Sequence, residues 1–214
     1  MTGPTSAPSL DLDDSTDNLL AWVKANARQL GFGALGVAAV AGILWVVRAQ
    51  NERSEMTASQ QLVAAQRTVG AGNLPVAAVD LKKLAEQYGS TRAGTDAKVL
   101  LGQVLLQQGK PDEALKELEG IGTSGPTAAS VQALRGAALE QSGKFAEAAA
   151  AYLKAAEATV LEAEGESFKS DAARAWLAAG KREDALKIWQ SIAGNPGSVL
   201  YSEALLRVGE LTAK

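Results

Sequence analysis

Residues 109–115 read "GKPDEAL", and the fold class turns on them. The same shape returns as "GNLPVAA" (72–78), "GKFAEAA" (143–149) and "GKREDAL" (180–186). The glycines Gly72, Gly109, Gly143 and Gly180 are separated by 37, 34 and 37 residues, and an alanine follows each of them by five. A glycine closing an amphipathic run suits the left-handed conformation that ends a helix, because it has no Cβ to clash there. The next helix opens almost at once, and carboxylates such as Asp112, Glu113 and Glu183 in its first turn complement the positive end of the helix dipole. The alanine falls inside that second helix, where a small side chain lets two antiparallel helices approach closely.

A helical hairpin repeated about every 34 residues is the tetratricopeptide signature. Two of the hairpins align at a spacing of 34 without a gap: Leu101, Gly102, Leu105, Gly109, Ala114 and Leu118 fall opposite Arg135, Gly136, Leu139, Gly143, Ala148 and Tyr152. Leu101 against Arg135 is the one mismatch in kind. A later hairpin follows with Trp176, Gly180, Ala185 and Trp189, and an earlier, weaker one has Ala65, Gly72, Ala77 and Leu81. The pattern predicts four helix pairs within 54–193, at 54–88, 95–121, 129–158 and 167–193, and a capping helix over 196–212. Gly102 and Gly136 read as packing devices that let neighbouring helices touch. Two interruptions stand out. "GIGTSGPTAAS" (120–130) is turn-rich, with Pro126 expected to start a helix. "TVLEAEGESFKS" (159–170) gathers Glu162, Glu164 and Glu166 around Gly165 and reads as a solvated loop or helix end.

Composition agrees with an all-α chain. Apolar residues make up 47% and aromatics 5%, with abundant alanine, which favours helices packed through small side chains. The net charge is −3 and no long basic run exists, which argues against a nucleic-acid partner. The chain has no cysteine and no histidine. That excludes disulfides, thiol nucleophiles and zinc sites built on those ligands, and removes the commonest general base. The expectation is a protein that is not an enzyme, with no catalytic residue, cofactor or metal. Cysteine usage does not identify the compartment.

Between Arg28 and Arg48 lie nineteen uncharged residues, "QLGFGALGVAAVAGILWVV". At about 1.5 Å per residue such a helix spans roughly the ~30 Å hydrocarbon core of a bilayer, and Trp45 sits near one edge, where indoles favour the interface. A transmembrane helix is expected over 29–48. The rival reading, a core helix of a soluble domain, lacks other elements to surround it. A cleaved signal peptide fits poorly, because the leader carries Asp11, Asp13, Asp14 and Asp17. Residues 1–14 read as a disordered leader. Residues 15–28 read as an amphipathic lead-in, lying on the membrane surface or forming the first turns of one long helix. Ala34, Ala38 and Gly42 repeat every four residues, either as a stripe for contact with another membrane helix or as part of a small-residue span with no partner. The flanking positive charges give no vote on orientation.

In solenoids of this kind the first helix of each pair lines a concave face. Projection of the repeat places Asp96, Val99, Gln103, Ala133, Ala137, Glu140, Ser170 and Arg174 there. The mixture is neutral to mildly acidic and lacks the clustered lysines that would clamp an acidic tail. It suits broad recognition of unfolded or extended, apolar peptide segments.

The order of parts adds a resemblance. "NLLAWVKANARQLGFGALGVAAVAGILWVVRAQ" (18–50), followed by degenerate repeats of which "LRGAALEQSGKFAEAAAAYLKAAEA" (134–158) is the most similar, resembles the bacterial ancillary SecYEG translocon subunit family. The similarity covers residues 15–158 well; the pair at 167–193 and the acidic insertion fit less well. The resemblance implies a single-pass inner-membrane protein with a cytoplasmic N-terminus and a periplasmic repeat domain, in contact with the translocon and with chaperones that receive secreted chains. The expected role is a membrane-anchored adaptor for protein–protein contacts, with the lipid bilayer and a membrane protein complex as partners. The alternative is an accessory structural or assembly subunit of another large membrane complex, respiratory or photosynthetic.

Overall fold

The computed structural model describes residue 22 and residues 25–213, the side chains of residues 27 and 29–39 excepted. Among the described residues every regular element is helical. The helices are α1 (Ala27–Gly70), α2 (Leu74–Gln87), α3 (Arg92–Gln107), α4 (Pro111–Leu118), α5 (Ala128–Gln141), α6 (Phe145–Ala158), α7 (Glu162–Ala178), α8 (Arg182–Ala193) and α9 (Tyr201–Thr212). The chain divides into two units, Met1–Arg53 and Ser54–Lys214.

In the second unit the hairpin turns follow one rule. Gly72, Gly109, Gly143 and Gly180 adopt φ of 78°, 69°, 73° and 75°. After each, the next residue donates its N–H back over five residues, as in Lys110 to Leu105 (2.9 Å), Lys144 to Leu139 (2.8 Å) and Lys181 to Trp176 (2.9 Å). This Schellman arrangement satisfies the last carbonyls of one helix while the chain turns into the next. The alanines five residues on, Ala77, Ala114, Ala148 and Ala185, are all fully buried.

The A helices of the hairpins are α1 from Ser54 onward, α3, α5 and α7; the B helices are α2, α4, α6 and α8. One cluster buries Ala58, Leu62 and Ala65 with Leu81, Leu84, Ala97, Leu101 and Val104. A second holds Ala148, Ala149, Tyr152, Ala172 and Ala175, and a third is built on Ala173, Ala185, Trp189, Ile192 and Ala204. Close approach at Gly102 and Gly136 is literal. A methyl group on Gly102 would lie 2.9 Å from Leu118 Cδ2, and one on Gly136 would lie 2.7 Å from the Tyr152 ring.

Three features depart from the sequence reading. Helix α3 begins at Arg92, three residues before the expected 95, because its N-terminus is capped twice. The Glu55 carboxylate of α1 accepts the Arg92 and Ala93 amides at 2.7 and 3.0 Å, and Thr91 Oγ1 accepts the Gly94 amide at 3.0 Å. Only Thr159–Leu161 of the acidic insertion behaves as a loop; from Glu162 it is helix. Glu166 is buried there, accepting from Ser198 Oγ at 2.6 Å and Asn195 Nδ2 at 3.3 Å, so it ties α7 to the α8–α9 connection. Helix α5 starts at Ala128, two residues after Pro126.

The leader over 1–14 lies outside the described residues, as does most of the lead-in over 15–28. Residues 29–48 have helical backbone, but the side chains of 29–39, Ala34 and Ala38 included, lie outside the described residues. Among the described residues no helix is long and apolar enough to cross a membrane.

Candidate partner-binding groove

The eight positions projected from the repeat fall on α3, α5 and α7, and they are not equivalent. Val99 packs against the cluster of Leu118, Ile121 and Val131, and Ala137 packs against the first core cluster. Asp96 is half-buried and pairs with Arg92 at 3.9 Å. Ala133 is half-buried and Gln103 is exposed. Ser170 is buried; it donates to the Ser167 carbonyl at 3.0 Å and accepts from Arg174 Nη1 at 3.3 Å.

Glu140, Ser170 and Arg174 come together in a polar cluster that includes two residues the projection missed. Tyr152 of α6 donates to Glu140 Oε2 at 2.8 Å. Asp171 of α7 pairs with Arg174 one turn on. The Tyr152 phenol is held above the ordinary tyrosine range, first by burial and then by its hydrogen bond to Glu140 and the nearby charge of that carboxylate. Burial also pushes the Asp171 carboxyl up; Arg174 opposes this and Glu140 adds to it. Glu140 and Arg174 remain exposed, so the cluster presents an anion and a cation on adjacent A helices. The signal for Tyr152 was in the alignment. A tyrosine where the other hairpins have Leu118 and Trp189 must find a partner for its hydroxyl when buried.

A second concavity lies between the B helices. Helix α4 has 8 residues against 14 for α2 and α6, because the chain leaves it at Glu119 for the turn-rich segment. The shortfall leaves an open hollow of about 740 Å³ lined by Leu115, Thr123, Gln132, Arg135, Leu139 and the face of α6 from Glu147 to Ala158. Arg135 Nη2 donates to the Leu118 carbonyl at 2.7 Å and so closes the end of the shortened helix. This is why arginine replaces the leucine of the preceding hairpin.

A family profile described as the tetratricopeptide repeat-like domain matches residues 36–175. The chain belongs to that family. The search of solved structures returns, among others, two crystal structures of nearly identical TPR-like repeats from a Podosopora anserina protein described as a kinesin light chain, one of them carrying a single substitution. Each is 16% identical to this chain, covers 72% of it and 84% of its own length, and superposes with a TM-score of 0.58. At that identity the likeness concerns the fold. Among curated proteins none matches the sequence.

Tetratricopeptide-like repeats generally mediate protein–protein contacts. Among the described residues no group of histidine, cysteine, aspartate or glutamate is placed to hold a metal ion.

Proposed function

We propose that this chain is a membrane-anchored adaptor whose repeat domain holds extended polypeptide segments close to a membrane protein complex. The observation that carries the membrane part is the state of residues 43–47. Ile43, Leu44, Trp45, Val46 and Val47 are each at least half exposed, with Trp45 at 72%. At 3.6 residues per turn, five consecutive positions face every direction around a helix. A helix apolar on all sides belongs in a core or a bilayer. The uncharged sequence from Gln29 extends the same character to a length that spans.

The repeats supply the other half. Confining a weak groove to the membrane raises its effective concentration near a fixed partner, so that contacts from Glu140 and Arg174 suffice. The resemblance to ancillary translocon subunits favours the secretory translocon and its periplasmic chaperones as that setting, with the N-terminus in the cytoplasm.

The test is extraction of native membranes with alkaline carbonate, followed by mild detergent and affinity purification. The proposal expects the chain to stay in the carbonate pellet and to recover translocon subunits from detergent. Release by carbonate overturns the anchor. Stoichiometric recovery of a different complex overturns the translocon assignment and leaves the anchor standing.

A further inference from the structure

The hollows between successive B helices follow one plan and differ in what closes them. The first, between α2 and α4, measures about 240 Å³, and Lys82 of α2 reaches across to Glu117 of α4 at 3.2 Å. The second, between α4 and α6, measures about 740 Å³. Ala151 stands there in the place of Glu117, eight residues after the hairpin glycine. Glu119, ten residues after its glycine as Lys82 is, lies past the end of α4. No ion pair can form in that place, and the second hollow stays open.

Two helix stripes line it. Gln132, Arg135 and Leu139 recur along α5 at intervals of three and four, and Ala150, Ala151 and Lys154 do so along α6. Gln132 is only 7% accessible, yet its amide makes no hydrogen bond with any described residue. Its counterparts in the neighbouring hairpins are Lys98 and Lys169, both more exposed. A lysine there keeps its ammonium in solvent on a long stem; Gln132 is the buried, uncharged exception. An amide buried without a partner costs stability, so its presence in the wall of an open hollow points to a ligand.

The chemistry of the lining specifies that ligand. A primary amide offers donors and an acceptor together. It matches a group with N–H and C=O side by side. The main-chain groups of one residue in an extended chain meet that need, because they point the same way, as in the hydrogen-bonded pairs of an antiparallel ladder. The rim carries Arg135 and Lys154 against Glu147 and Glu157, none of them in an ion pair with a described residue. Equal numbers of each sign disfavour a phosphate or a metal cation and suit a neutral ligand. Leu115 and Leu139 add apolar contact.

We propose that this hollow seats an uncharged, extended polypeptide segment. The Gln132 amide pairs with the N–H and C=O of one of its residues, and an apolar side chain of the segment lies against Leu115 and Leu139. The seat is separate from the A-helix face that carries Glu140 and Arg174, and it rests neither on that face nor on the membrane anchor.

The probe is the capped peptide acetyl-Ser-Val-Leu-Val-Ser-amide, titrated into the full-length chain in detergent micelles. The glutamines are isotope-labelled for NMR, and the Gln132 side-chain amide signal is identified by its loss in Gln132→Leu. The proposal expects a saturable shift of that signal. Methylation of the peptide's leucine nitrogen, which removes the N–H, is expected to weaken binding at least tenfold. Gln132→Leu and Ala150→Trp should do the same to a dye-labelled copy followed by anisotropy, the second at an exposed position within the hollow. Gln132→Leu should lose binding with Tm unchanged or raised, since it replaces an unpaired amide by an apolar group; a residue that served packing alone would lower Tm instead. No shift of the Gln132 signal at millimolar peptide, equal affinity for the methylated peptide, or unchanged affinity in Gln132→Leu overturns the proposal. Binding that spares the Gln132 signal and is lost on Glu140→Ala also overturns it, and leaves the A-helix face standing.

Discussion

Gly136→Ala is the sharpest perturbation of the repeat packing. A glycine inside a helix costs about 1 kcal/mol relative to alanine, so propensity alone makes the substitution stabilising. The structure opposes this. The new methyl would lie 2.7 Å from Tyr152 Cδ1 and Cε1 and 3.0 Å from Cγ. The ring cannot swing aside freely, because it is buried and its hydroxyl is bonded to Glu140. Overpacking of this kind costs about 1–3 kcal/mol, which leaves a net loss of about 0–2 kcal/mol. In a domain of this size that lowers Tm by up to about 8 °C. Gly209→Ala is the matched comparison: the same chemistry in a helix with open space around the methyl, expected to gain about 0.5–1 kcal/mol. Thermal unfolding of both variants by circular dichroism reads the signs. Tyr152→Ala in the Gly136→Ala background should recover the propensity gain, as coupled neighbours do in a double-mutant cycle. If Gly136→Ala raises Tm as much as Gly209→Ala, the close-approach argument is wrong.

Other expectations follow from the same contacts. Ala148→Leu inserts three carbons at a fully buried hairpin joint and should cost about 1–3 kcal/mol in urea unfolding. Arg135→Leu restores the residue type of the preceding hairpin but removes the bond to the Leu118 carbonyl, so it should lose about 1 kcal/mol; stabilisation would contradict the capping role. The Asp171 carboxyl is held above its ordinary range, so its charge is disfavoured in the fold at neutral pH, and that cost disappears as pH falls through the folded value. Asp171→Asn should therefore raise Tm at neutral pH, with the difference from the native chain closing on acidification; a difference that widens would contradict the sign.

The hairpin architecture was legible because its signals are local. A left-handed glycine and an alanine five residues later depend on backbone geometry and contact distance alone, and Gly72, Gly109, Gly143 and Gly180 all adopt the conformation their positions imply. What the sequence hid depends on long-range partners. The early start of α3 is set by Glu55, 37 residues upstream of Arg92, and no local pattern around Thr91 reveals it. Glu166 reads as a solvated carboxylate until Ser198 and Asn195 are brought to it. The groove projection assumed that repeat position alone decides exposure. Val99 and Ser170 fail that assumption: Val99 packs against Leu118, Ile121 and Val131, and Ser170 is buried, while Glu140 and Arg174 stay open. The proposed anchor rests on the uncharged run from Gln29 and on the exposed apolar residues 43–47; among the described residues no helix is long and apolar enough to cross a membrane.

If the A-helix face, presented at the membrane, is where partner polypeptide is held, crosslinking in native membranes will show it. A photoreactive amino acid is placed singly at Gln103, Glu140 or Arg174, and at the outward B-helix positions Glu113 or Lys187. Crosslinks to translocating or unfolded polypeptide are expected from Glu140 and Arg174 well above those from Glu113 and Lys187. Equal labelling from both faces, or labelling confined to the B-helix positions, would contradict that role.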